Sequence, residues 1–235
     1  MSFSTTTQNT TSEPKGVALV TGAAQGIGRA IALRLAADGF DVAVNDISSK
    51  FAELEKVKEE IISAGRRAAA LPPTWLSMRR LGVMVESVVR ELGGLDVMVA
   101  NASNLQGPAR HSSTVFEPDE WDQTFAINVR GVFLCYKYAA KQMIEQGRGG
   151  RIIGACSGAG KQGYSYLPDY SSSKFAVRGF LNRVAGEFGK HGDNCECLRS
   201  RLTHLPSAAQ FAPMANMPHD EFWAMISADG GRYFD

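Results

Sequence analysis

Short apolar runs separated by longer stretches of helical periodicity organise this chain. Residues 17–20, 42–46, 67–71, 95–100 and 151–156 are rich in Val, Ile, Leu, Met and Ala and have the length of strands. Between them, apolar positions recur every three or four residues near 26–38, 50–64, 79–92, 119–146 and 170–190, the period of amphipathic helices. Regular alternation of strand and helix builds βαβ units. The pattern therefore predicts one α/β domain over 15–235, a doubly wound parallel sheet of the Rossmann type with helices on both faces. Residues 1–14 are rich in Ser and Thr, carry no Arg and lack periodicity, which predicts a disordered tail.

The turn after the first strand carries the first chemistry. Thr21-Gly22-Ala23-Ala24-Gln25-Gly26-Ile27-Gly28 follows the strand run and opens a helical pattern, so backbone amides converge at a helix N-terminus, where a pyrophosphate is stabilised. Gly22, Gln25, Gly26, Ile27 and Gly28 are the candidate contacts. Asp46 ends the next apolar run, eighteen residues after Gly28, where a carboxylate holds a ribose hydroxyl. A carboxylate there accepts the 2′-hydroxyl of NAD and repels the 2′-phosphate of NADP, so NAD is the expected cofactor. Asp46 or Ser48 would serve equally as the cap of the following helix. Arg29 is read as a phosphate contact or as a solvated surface side chain.

A second constellation lies further on. Ser157 precedes Tyr170 by thirteen residues and Lys174 follows it by four. With Tyr170 opening a helix, Lys174 falls on the same face, and an ammonium beside a phenol favours phenolate, which makes Tyr170 a general acid-base. Asn101-Ala102 follows the fourth apolar run, and Asn128 stands in the apolar helical run Phe125 to Phe133. Each has a plainer reading: a packed Tyr–Lys pair, a strand-end cap at Ser157, a back-bonded Asn128.

Taken together, T-G-x-x-x-G-x-G, N-A, N-V-x-G, Ser157 and Y-x-x-x-K resemble the short-chain dehydrogenase/reductase family from Lys15 to about Gly192. The run A-C-S-x-A-G … Y-S-S-S-K-F-A-V-R-G is most similar to the diacetyl/acetoin reductases and butanediol dehydrogenases. The resemblance implies an NAD(P)-dependent oxidoreductase acting on a secondary alcohol or ketone, such as a small hydroxyketone, a diketone or a secondary-metabolite ketone. It assigns substrate hydrogen bonding to Ser157, proton transfer to Tyr170, ribose binding and phenol activation to Lys174, and a water relay to Asn128. It adds Asn101 to the cofactor contacts, with Tyr170 and Lys174, and implies a homo-oligomer where the C-terminal region folds. The rival reading is a dinucleotide-binding protein with little turnover.

Composition adds exclusions. A formal charge of +1 gives no bulk electrostatic reason for a nucleic-acid partner, and no apolar run approaches a membrane span, so the expected partner is a small carbonyl or alcohol substrate. The first residues lack a signal pattern, which with the rest predicts a cytoplasmic protein. The cysteines at 135, 156, 195 and 197 form neither a disulfide framework nor a metal set.

Two segments depart from the resemblance. Where relatives carry an Asp-Val run after the third strand, this chain has Pro72-Pro73-Thr74-Trp75-Leu76-Ser77-Met78-Arg79-Arg80. From Asp193 the expected apolar strand ending in Pro-Gly reads Asn194-Cys195-Glu196-Cys197-Leu198-Arg199-Ser200-Arg201, and the substrate lid that follows is about thirty residues short of the family pattern before Ser227. A shifted reading frame over Asp193–Arg201 permits I-T-V-N-A-Y-A-P-G; divergence of a tolerant loop is the other explanation. Charges in a buried parallel strand are costly, so this segment is expected to stay out of the sheet and to leave a weak or inactive enzyme.

Overall fold

The computed structural model describes residues 13–71, 78–104, 117–164, 167–188 and 193–200. Its elements follow one another as β1 Val17–Thr21, α1 Gly26–Ala37, β2 Asp41–Asn45, α2 Phe51–Ser63, β3 Ala68–Leu71 and α3 Met78–Leu92. The second half contains β4 Val97–Ala100, α4 Pro118–Phe125, α5 Val132–Gln146, β5 Gly150–Ser157, α6 Pro168–Phe188 and β6 Asp193–Ser200. The strands form one parallel sheet in the order β3-β2-β1-β4-β5-β6. The chain reverses direction across the sheet after β3, so β1 and β4 lie side by side and a crevice opens beyond their carboxyl ends.

Side-chain alternation along the strands divides the core in two. Ala18, Val20, Val42, Val44, Val97 and Val99 pack with Leu54, Val57 and Ile61 of α2 and the alanines of α1. Leu19, Ala43, Met98 and Ile152 pack on the opposite face with α3, α5 and α6, where Tyr136 is fully buried and donates its hydroxyl to the Ile152 carbonyl at 3.2 Å. Burial on both faces is why these strands read as unbroken apolar runs. At the amino ends of the strands two carboxylates fix the frame. Asp41 is held by Arg66 and Arg67, and Asp96 accepts the Val17 amide at 2.8 Å and the guanidinium of Arg148 at 2.6 Å.

The helical pattern read over 119–146 divides in three. Between α4 and α5 the stretch Ala126–Gly131 is π-helical, and Asn128 lies in it. Such widened turns recur at functional sites because they free backbone and re-aim a side chain.

One expectation is overturned. The segment predicted to stay outside the sheet is β6, paired with β5 in register from Gly150 with Asp193 to Ser157 with Ser200. Pairing is made by backbone amides and carbonyls, which these residues supply whatever their side chains. Among the described residues β6 is also an edge strand, where charged side chains are common. The apolar-run criterion belongs to interior strands. Of the tail expected over 1–14, residues 1–12 lie outside the described residues, as do 72–77 of the departure over 72–80, the second position of the expected Pro-Gly at 200–201, and the lid and chain end that follow it. No helix of the described residues is long and apolar enough to cross a membrane.

Candidate active site

The glycine turn connects β1 to α1 at the crevice. Gly26 has φ of +56°, a conformation that disfavours any side chain, and a Cβ placed there would meet nothing within 4 Å. Gly28 is required for a different reason: its Cβ would collide with the Gly22 carbonyl oxygen and stand 2.6 Å from Asn101 Nδ2. The first turn of α1 thus packs directly on the preceding loop. Gln25 precedes it without a side-chain cap, so the leading amides of Gly26, Ile27 and Gly28 point beyond the helix end. A narrow turn, open space over Gly26 and amides at a helix start fit the pyrophosphate of a dinucleotide.

Asn101 holds this turn from β4. Its Nδ2 donates to the carbonyls of Thr21 at 2.9 Å and Gly22 at 3.2 Å. Thr21 reciprocates, its Oγ1 accepting the amides of Asn101 and Ala102, both at 3.1 Å, and donating to the Val99 carbonyl at 3.3 Å. Asn101 is the cofactor contact that the family resemblance implies, and Thr21 opens the glycine motif. In the structure the pair is a clamp between two strand ends, with Asn101 acting on the turn through its amide.

Asp46 sits just past β2 and is partly buried. Its Oδ2 accepts the Ala24 amide of the glycine turn at 2.8 Å and its Oδ1 accepts the Ile47 amide at 2.8 Å. It is therefore not the cap of α2, whose start has Lys50 at the cap position and no side-chain cap, and Ser48 does not take that role either. The carboxylate is fixed beside the turn with acceptor capacity left on both oxygens. Arg29 pairs with Glu60 of α2 at 2.6 Å rather than reaching the turn.

Ser157 is the last residue of β5. Its Oγ accepts the Ala159 amide at 3.2 Å, so the plainer strand-end cap is realised, while the hydroxyl proton remains a donor. α6 begins with Pro168 at its first position, and Tyr170 follows in the first turn. Lys174, one turn on, is 2% exposed; its Nζ donates to the Ala155 carbonyl at 3.0 Å and lies 5.5 Å from the centre of the Tyr170 ring. The expected one-face placement of Tyr170 and Lys174 holds, and the lysine reaches the end of β5, two residues before Ser157. Gly160 explains how close α6 comes: a Cβ there would stand 2.7 Å from the Lys174 carbonyl oxygen.

Asn128 is fully buried and fully engaged. Its Oδ1 accepts the Asn104 amide at 2.6 Å and the Ser103 hydroxyl at 3.1 Å; its Nδ2 donates to the Asn104 carbonyl at 2.9 Å and to Ser173 Oγ at 3.1 Å. It joins the loop after β4 to the helix bearing Tyr170 and Lys174. Ser103, Asn104 and Ser173 escaped the sequence reading because partners scattered along the chain leave no spacing signal. Among the described residues no group of three or more His, Cys, Asp or Glu side chains converges as a metal site.

Parallel sheet, crevice and glycine turn define a dinucleotide-binding α/β domain. The chain belongs to the short-chain dehydrogenase/reductase family, residues 16–205 matching the family described as short chain dehydrogenase. It is 49% identical over 202 residues to a short-chain dehydrogenase/reductase of Armillaria gallica, covering 86% of this chain and 76% of the relative. An L-2,3-butanediol dehydrogenase of Corynebacterium glutamicum is 36% identical over 178 residues, 75% of this chain and 67% of that one. A solved NAD+-bound xylitol dehydrogenase superposes with a TM-score of 0.75 at 30% identity, covering 80% of this chain and 70% of that one. A short chain dehydrogenase from Burkholderia cenocepacia in complex with NADP gives 0.72 at 33% identity, covering 77% and 72%. The protein is accordingly an oxidoreductase of a family that acts on CH–OH groups with a nicotinamide cofactor. The relative at 49% identity is named by its family alone, so the finer likeness to butanediol dehydrogenases rests on the one at 36%.

Proposed function

We propose that this protein interconverts a secondary alcohol and its ketone using NAD, with Ser157, Tyr170 and Lys174 as catalytic residues and Asn128 holding their surroundings. The observation that carries the reading is the buried Lys174 ammonium 5.5 Å from the Tyr170 ring, at the end of the strand that finishes in Ser157. When bound, the nicotinamide supplies or accepts the hydride at the carbinol carbon. The protein's part is proton management: Ser157 donates a hydrogen bond to the substrate oxygen, and Tyr170 gives or takes its proton. The lysine charge stabilises the phenolate form, which brings Tyr170 into the working range of a general acid-base. Gly22, Gln25, Gly26, Ile27, Gly28 and Asn101 form or brace the pyrophosphate turn, and Asp46 receives the ribose.

NAD is favoured because the Asp46 carboxylate, fixed by two backbone amides at the turn, repels a 2′-phosphate. A small hydroxyketone or diketone is the substrate class proposed first, supported by the butanediol dehydrogenase relative at 36% identity, and a secondary-metabolite ketone the second. A homo-oligomer is proposed with it, as membership of the family implies. The test compares kcat/KM for NADH and NADPH with diacetyl and a set of larger ketones. The parent is expected to prefer NADH, and Asp46→Ser to narrow that preference. An unchanged cofactor ratio would remove Asp46 from its role.

A further inference from the structure

Two hydrogen bonds cross between the α4 side of the crevice and α6, and both join residues forty-five apart in sequence. Thr124 Oγ1 donates to Asp169 Oδ2 at 2.6 Å, and Asn128 Nδ2 donates to Ser173 Oγ at 3.1 Å. All four side chains are 0% exposed. The spacing within each partner is four residues, 124 and 128 on one side and 169 and 173 on the other, so the bonds are successive rungs on matching helical faces. Each α6 rung residue immediately precedes a catalytic one, Asp169 before Tyr170 and Ser173 before Lys174. The second rung continues into the tyrosine itself, since Ser173 Oγ donates to the Tyr170 carbonyl oxygen at 2.7 Å.

Burying Asp169 is costly unless its carboxylate is hydrogen-bonded, and the short bond from the Thr124 hydroxyl gives it directional support. Its place in the first turn of α6 is also where a negative charge suits the helix dipole. A core built only for stability would place an apolar pair here at less cost.

We propose that Thr124 and Asp169, together with Ser173, are positioning residues that set the rotation of the first turns of α6 and thereby aim Tyr170 and Lys174. This rests on the catalytic reading given above. Thr124 belongs to a helix that contributes none of the Ser–Tyr–Lys triad, and the hydrogen bond it donates reaches the reaction through α6. Thr124→Val keeps the shape and removes the donor; Thr124→Ser keeps the donor. Misplacement by a fraction of an ångström is enough to slow a reaction that depends on alignment.

The experiment measures kcat, KM, NADH binding by fluorescence and melting temperature for the full chain carrying Thr124→Val, Thr124→Ser, Asp169→Asn or Tyr170→Phe. Thr124→Val is expected to lose about 10- to 100-fold in kcat while KM and the NADH Kd stay within about threefold. Thr124→Ser should remain within about threefold of the parent throughout, and Asp169→Asn should fall between the two in kcat. A folded Thr124→Val with parent kcat, or a Thr124→Ser as slow as Thr124→Val, would overturn the proposal. If Thr124→Val does not fold, Asp169→Asn decides: lowered kcat at unchanged NADH Kd supports the positioning role, and parent kcat overturns it. Tyr170→Phe separates the two readings. Its survival as an active enzyme would defeat the catalytic assignment, whereas its inactivity beside a parent-like Thr124→Val would defeat only the positioning role.

Discussion

In the proposed reading Lys174 serves two ends from one buried position. Its stem lies within the core while its ammonium bonds the Ala155 carbonyl and faces the Tyr170 ring, so one charge is available both to a ribose and to a phenol. Lys174→Met preserves most of the stem's volume and removes the charge. Turnover is expected to fall by about 10²-fold or more, with NADH binding weakened as well, because general acid-base catalysis is worth about 10²–10⁴-fold. A spectrophotometric rate and a fluorescence titration check the two effects, and loss of only one would reassign the lysine to a single role. Ser157, Tyr170 and Lys174 were legible in the sequence because fixed spacings place them on one strand end and one helix face. Ser103, Ser173, Thr124 and Asp169 were not, since hydroxyls and a carboxylate whose partners lie 25 or 45 residues away leave no spacing to read in one dimension.

At the scale of elements, boundaries followed hydrophobic period closely for β1, α1, α2, α3 and β5, where burial on one stripe or both faces dictates composition. The π-helical stretch over Ala126–Gly131 was invisible, because one widened turn barely changes the recurrence of apolar positions. The junction of β2 and β3 depends on Asp41, which is 1% exposed. Burial by itself would raise its pKa; hydrogen bonds from the side chain and backbone of Arg67, and hydrogen bonding and charge from Arg66, outweigh that and hold it below the ordinary 3.8. A depressed folded value contributes stability that is fully present above the unfolded pKa and lost as pH falls through the folded one. Asp41→Asn should therefore destabilise the protein at pH 7, with the gap to the parent shrinking once the pH drops below the ordinary 3.8 and through the lower folded value. Urea unfolding of both proteins at pH 7, 5 and 3 measures it. A gap that stays constant with pH would mean that packing, rather than charge, is what the variant loses.

The whole molecule differs from its sequence reading most at β6. The charges of Glu196, Arg199 and Arg201 led to the expectation that Asn194–Arg201 stays out of the sheet, yet the backbone of Asp193–Ser200 continues the parallel ladder next to β5. One ground for expecting a weak or inactive enzyme, a sheet edge left open beside the crevice, is thereby removed; the other, the shortened lid, lies outside the described residues. Hydrogen exchange of the intact chain tests the pairing: every second amide of β6 should be protected by bonding to β5, whereas exchange of all of them at unstructured rates would exclude the strand. The proposed reaction takes place in the crevice that this sheet carries. Its most direct test is to titrate purified parent and Tyr170→Phe with NADH by fluorescence, then to follow cofactor absorbance on adding diacetyl and larger ketones. The account predicts binding by both proteins within several-fold, consumption of NADH by the parent, and at least a hundredfold slower consumption, on the order of the general acid-base contribution, by Tyr170→Phe. Absence of NADH binding to the parent, or equal rates from the two proteins, would contradict it.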